Sequence, residues 1–331
     1  MIDPTAWLAS LATGPAGAAA SRGLGVVEAL STLPSVAVAA FAALTQLGDA
    51  WFVFVLGALL YWRRPSLSSA PRRAGALLVA AGLLSLGLSV GLKSLFALPR
   101  PPGAAAATSP ARLPTTLAPL YRDAATGDGF GFPSGHAVSA TVVYGTLAAV
   151  LDRPDRRRRL AVVATPTVVV SASRLVLGVH YLVDVVAGVG VGLVGVALLL
   201  RAAAYDADAD APSRSLRPTR AFGVATAVLA GAVVVAAVGG HPEETFEGVL
   251  GLGAALGAAG AWRATGAEAT TGPAVPWPVA AVGLAVTGAV WGGAYALASS
   301  LVVAFVGSLL AVGGVVAYPV VAARVTDRKS V

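Results

Sequence analysis

Apolar positions along this chain do not recur at the three- and four-residue spacing of a half-buried helix. They run almost without interruption and are broken by short polar clusters. Uncharged or nearly uncharged stretches lie at about 36–62, 74–98, 135–151, 160–177, 181–200, 221–239, 246–262, 277–296 and 300–322. A helix of about 20 apolar residues covers the hydrocarbon core of a bilayer, and inside that core a helix bonds all of its own backbone groups. The pattern therefore predicts an all-α fold, a polytopic transmembrane helix bundle of about nine spans. The last two stretches are divided only by the Gly-Gly-Ala-Tyr-Ala-Leu-Ala-Ser-Ser bend, because no Asp, Glu, Lys or Arg occurs from Trp277 to Ala323. Residues 1–32 are apolar but carry Pro15, Arg22 and Glu28, which suits either an interfacial helix or a weak further span.

Composition narrows the classes. With 56% hydrophobic and 12% charged residues the chain is no ordinary soluble globule. The net charge of +7 comes from 23 basic residues, of which only Lys93 and Lys329 are lysines, and they gather in short loops. That distribution reads as membrane topology and not as a nucleic-acid-binding face. Arginine-filled loops at 63–73, 153–159 and 201–220, with the tail from Arg324, fall on one side and are expected to be cytoplasmic. The long segment from Pro99 to Pro133 then lies outside. With no cysteine, disulfides and thiol chemistry are excluded. No basic region precedes an apolar stretch at the N-terminus, so no cleavable signal peptide is expected.

Ionisable residues near the ends of membrane helices are costly, and here they cluster by motif. Lys93 stands at the outer end of the second stretch, with Arg100-Pro101 following; alone, the pair could be a snorkelling anchor and a loop charge. Pro133-Ser134-Gly135-His136 opens the next stretch. Ser134 is expected to cap that helix, and Gly135 leaves its backbone N–H groups open to an anion; a capped helix start is the plain alternative. Ser173-Arg174 is followed by His180 and Asp184. If the span begins at or before His180, the two share a face and the carboxylate holds an imidazole N–H. The loop-charge topology brings all seven side chains to one outer surface, where three cations, two histidines and a helix N-terminus suit a phosphate. His241, beside Glu243 and Glu244, is assigned a structural or surface role.

In their spacing these three motifs resemble the type 2 phosphatidic acid phosphatases, whose pattern is shared by the vanadium haloperoxidases and the glucose-6-phosphatase-like enzymes. The resemblance covers about residues 30 to 201. It implies a metal-independent phosphatase without cofactor, in which His180 is the nucleophile, Asp184 orients it and His136 is the general acid. Lys93, Arg100, Ser134, Gly135 and Arg174 would bind phosphate. The expected substrate is a lipid phosphate or isoprenoid pyrophosphate, met on the extracytoplasmic side of the cell membrane. Phosphotransfer to another acceptor, or a non-enzymatic lipid transporter-like bundle, are the alternatives. The expected organisation is an N-terminal segment at 1–32, a phosphatase core at 33–204, a disordered cytoplasmic linker at 205–218 and a C-terminal bundle of unassigned role at 219–331.

Overall fold

The computed structural model describes residues 22–64, 66–106, 114–151, 155–204, 216–296 and 300–327. Among these residues the fold is all-α, with twelve α-helices and no strand. They are α1 (Val26–Leu30), α2 (Ser35–Leu44), α3 (Ala50–Arg63), α4 (Pro71–Phe96), α5 (Ala118–Ala125), α6 (Gly135–Val150), α7 (Arg156–Val176), α8 (Leu182–Ala202), α9 (Pro218–Val238), α10 (Pro242–Thr271), α11 (Trp277–Ala296) and α12 (Leu301–Asp327). Proline at the first helical position starts α4, α9 and α10, where its missing N–H has no intrahelical partner to lose. Asp155 caps α7 by accepting the Arg158 N–H at 2.9 Å.

Each of the nine apolar stretches folds as helix, but their fitness to span differs. Six of the described helices are long and apolar enough to cross a membrane: α4, α7, α8, α9, α11 and α12. The 36–62 stretch is not one helix: a 3₁₀ turn at Thr45–Gly48 bends its two halves by 50°. As one broken span it makes a seventh. Helix α6 has only 16 residues. The 246–262 stretch lies within the 30-residue α10, a glycine-rich helix that also carries Glu243, Glu244, Glu247, Arg263 and Glu268. The count of nine spans is therefore approximate. Residues 1–21 and 205–215, which hold most of the expected N-terminal segment and linker, lie outside the described residues.

Helix α4 runs through the middle, buried along most of its length from Ala74 to Val90 and flanked by α3, α6, α9 and α10. Its Leu77 and Leu83 share one apolar core with Val142 of α6, Phe222 and Leu229 of α9, Ala254 of α10 and Val316 of α12. The front and back of the sequence thus bury their apolar surface against each other. Close approach is set by small residues: a Cβ at Gly188 of α8 would lie 2.7 Å from the Ser134 carbonyl oxygen, so α8 and the start of α6 meet at a separation that only glycine permits.

Candidate active site

The last turn of α4 carries Lys93, where a cation is favoured by the helix dipole. Ala97 then turns left-handed, its N–H returning to the Lys93 carbonyl at 2.8 Å, and the chain leads into Arg100. The loop after α5 wraps the Arg100 side chain. Arg100 Nε donates to the Asp128 carbonyl at 2.9 Å, and a Cβ at Gly127 would stand 2.8 Å from Arg100 Nη1. Gly131 N–H donates to the Leu98 carbonyl at 2.8 Å, which ties the two sides of this loop together.

His180 is buried to 1% exposure, in the turn between α7 and α8. Its Nδ1 lies 2.8 Å from the Gly131 carbonyl oxygen. A carbonyl only accepts, so Nδ1 carries the proton and Nε2 keeps its lone pair. Arg100 Nη1 donates to that Nε2 at 2.9 Å. Burial holds the His180 pKa well below the ordinary 6.5, and the charges of Arg100, Arg174 and Lys93 push the same way.

The expected His180–Asp184 hydrogen bond is not formed. Their nearest nitrogen and oxygen are 3.6 Å apart, beyond hydrogen-bond length. The reason is where the helix begins: α8 starts at Leu182, so His180 is outside it and the four-residue helical spacing does not apply. Asp184 instead accepts the Tyr181 N–H on Oδ2 at 2.9 Å and pairs through Oδ1 with Arg22 at 2.7 Å. Arg22 is itself buried, lies over the Tyr181 ring and donates to the Pro99 carbonyl.

Ser134 departs from expectation as well. It occupies the N-cap position of α6 but makes no side-chain cap bond, and its buried Oγ has no hydrogen-bond partner among the described residues. The turn is fixed through the backbone, Ser134 N–H donating to the Asp184 carbonyl at 2.9 Å. Helix α6 therefore presents Ser134 Oγ together with the N–H groups of its first turn, which have no intrahelical acceptor. Arg174, on the last turn of α7, is 3% exposed and donates from Nη1 to Thr45 Oγ1 at 3.0 Å and to the Ala124 carbonyl at 3.3 Å. Its buried Nε has no hydrogen-bond partner among the described residues. The charges of Lys93 and Arg174 reach both histidine rings.

Four participants escaped the motif reading: Arg22, Thr45, Asp49 and Gly131. Asp49 Oδ2 lies 3.6 Å from His136 Nε2. A signal for it existed, since Asp49 is the only charged residue in the 36–62 stretch and an ionisable group in a span points to function. Gly131 acts through its carbonyl, which side-chain chemistry does not reveal. His241 is more than a surface residue, its ring meeting Phe130 edge-on at 4.7 Å, next to the carbonyl that holds His180. Glu244 of the same turn is buried against Gly129.

No curated protein and no solved structure matches the chain. Residues 74–208 match the PAP2 superfamily, a group of phosphatases. That range begins in α4 and contains Lys93, Arg100, Ser134, Gly135, His136, Arg174, His180 and Asp184, and over this segment the chain is similar to the PAP2 superfamily.

Proposed function

We propose that the protein is an integral-membrane phosphatase that hydrolyses a lipid phosphate or isoprenoid pyrophosphate through a phosphohistidine on His180. The observation that carries this reading is the state of His180: its proton is fixed on Nδ1 by the Gly131 carbonyl, and the lone pair of Nε2 faces the Arg100 guanidinium. A neutral imidazole beside a phosphate-binding cation is an activated nucleophile. Lys93, Arg100 and Arg174 supply charge for the phosphoryl oxygens, and Ser134 Oγ and Arg174 Nε are buried donors with no acceptor among the described residues. Such donors suit a ligand rich in oxygens.

In the first step Nε2 of His180 attacks phosphorus. The P–O bond to the leaving group breaks, its electron pair stays on that oxygen, and His136 gives the oxygen a proton. In the second step His136 takes a proton from water, the water oxygen attacks phosphorus, and the P–N bond returns its pair to His180 as phosphate leaves. The fixed cations stabilise the spreading negative charge in both steps. The role of Asp184 is to fix the turn that bears His180, by way of the Tyr181 N–H and Arg22. The reading needs no metal ion and no cofactor. An amphiphilic substrate is supported by the apolar surface beside the cluster, where Leu95 and Phe96 of α4 and Leu117 and Leu120 around the start of α5 are exposed. The loop charges put this end on the extracytoplasmic side.

The test is phosphate release by purified full-length protein in detergent with a chelator present, from phosphatidate and from an aryl phosphate. Wild type should hydrolyse both, and His180→Ala neither. His136→Ala should lose roughly 10² to 10⁴ in rate on phosphatidate, whose alkoxide needs a proton to depart, while retaining a substantial part of phosphoenzyme formation on the aryl ester. No release by wild type, or activity in His180→Ala, would refute the proposal.

A further inference from the structure

The turn between α2 and α3 lies outside residues 74–208, yet it sends two side chains into the phosphate site. Thr45 Oγ1 accepts from Arg174 at 3.0 Å. Four residues on, Asp49 has extended backbone, with φ −73 and ψ 150, and divides its carboxylate between two tasks. Oδ1 accepts the Trp51 N–H at 3.3 Å at the start of α3, and Oδ2 faces His136 Nε2 at 3.6 Å. The turn is locked to α6 by Tyr144 Oη, which donates to the Leu47 carbonyl at 2.9 Å. It also touches α6 at Gly48, where a Cβ would stand 3.1 Å from the His136 carbonyl oxygen.

We infer that Asp49 is a positioning residue for His136, its carboxylate standing at ion-pair distance from Nε2 and balancing the positive charge the ring needs as a general acid. The inference rests on the reading of His136 as that acid. Arg174 of α7 and Lys93 of α4 both act on the His136 ring, so a protonated imidazole here meets like charges. A carboxylate at ion-pair distance offsets them. The other carboxylate in the cluster, Asp184, is already engaged by Arg22 and the Tyr181 N–H. Asp49 is the only carboxylate paired with His136 among the described residues. Because Nε2 faces Asp49, Nδ1 is the nitrogen left to exchange a proton with the departing oxygen. As the P–O bond breaks, the oxygen keeps the electron pair and takes the Nδ1 proton, while Asp49 stays ionised beside the Nε2 proton.

Asp49→Asn removes the charge and keeps an acceptor for the Trp51 N–H, since Asn and Asp serve helix starts about equally. On phosphatidate the variant should lose about 10²-fold in kcat, the low end of what a general acid supplies, with KM little changed. Phosphoenzyme formation from the aryl phosphate should proceed nearly as in wild type, and Asp49→Glu should recover part of the loss. In a His136→Ala background Asp49→Asn should cost nothing further, because residues acting through one another are not additive. Equal losses on both esters, or an undiminished loss in the His136→Ala background, would overturn the role of Asp49 while leaving the phosphatase reading intact. A wild type without His180-dependent hydrolysis would sink that reading instead, and the inference with it.

Discussion

His180 shows how burial and fixed charge keep one imidazole neutral, the state that the proposed attack requires. At 1% exposure and under the field of Arg100, Arg174 and Lys93, its protonated form is disfavoured, and its pKa falls well below 6.5. The sign of the pH dependence follows. A nucleophile whose pKa is depressed stays neutral as the medium is acidified through 6.5, so kcat/KM, after allowance for the ionisation of the substrate, should lose its acid limb only below the ordinary histidine range. Stability moves too. The unfolded chain binds a proton at this position near 6.5 and the folded chain does not. The stabilisation is complete above that value and is lost as the pH drops towards the folded pKa. A profile with an acid limb at 6.5 or above that depends on His180 would contradict this state of the ring.

At the scale of elements, apolar stretches marked where helices run, and the motif spacing picked out those to which the proposed chemistry is assigned. Neither told where helices break or begin. The bend at Thr45–Asp49 contains no proline and lies within an otherwise apolar stretch of spanning length, so a window of that length passes over it. The short run Thr45-Gln46-Leu47-Gly48-Asp49 marks it. The start of α8 was equally hidden, because hydrophobicity continues through Val179, Tyr181 and Leu182, while the true boundary is set by Asp184 reaching back to the Tyr181 N–H. That two-residue difference is what removes Asp184 from His180 and gives the orienting bond to Gly131. At Ser134 the turn is likewise fixed through the backbone, its N–H donating to the Asp184 carbonyl, while its side chain makes no cap bond. Sequence spacing selected the candidate residues, and backbone contacts decide how they touch.

At the scale of the whole molecule, the shared core around α4 links the superfamily segment to the C-terminal helices, and His241 and Glu244 of α10 reach the loop that orients His180. The sidedness proposed from the arginine-filled loops is open to direct labelling, since the chain has no cysteine of its own. In intact cells Thr126→Cys should react with an impermeant thiol reagent and Asp155→Cys should not, and the reverse pattern would put the site on the cytoplasmic side. The central claim, that phosphorus becomes bonded to His180, is tested most directly by trapping. Protein in detergent is mixed with a phosphate ester labelled in its phosphoryl group, quenched in base to preserve phosphohistidine, and digested. The account predicts label on the peptide bearing His180, more of it accumulating in His136→Ala with an aryl ester, and none in His180→Ala. Hydrolysis by wild type with no label on that peptide, or label that survives in His180→Ala, would contradict it.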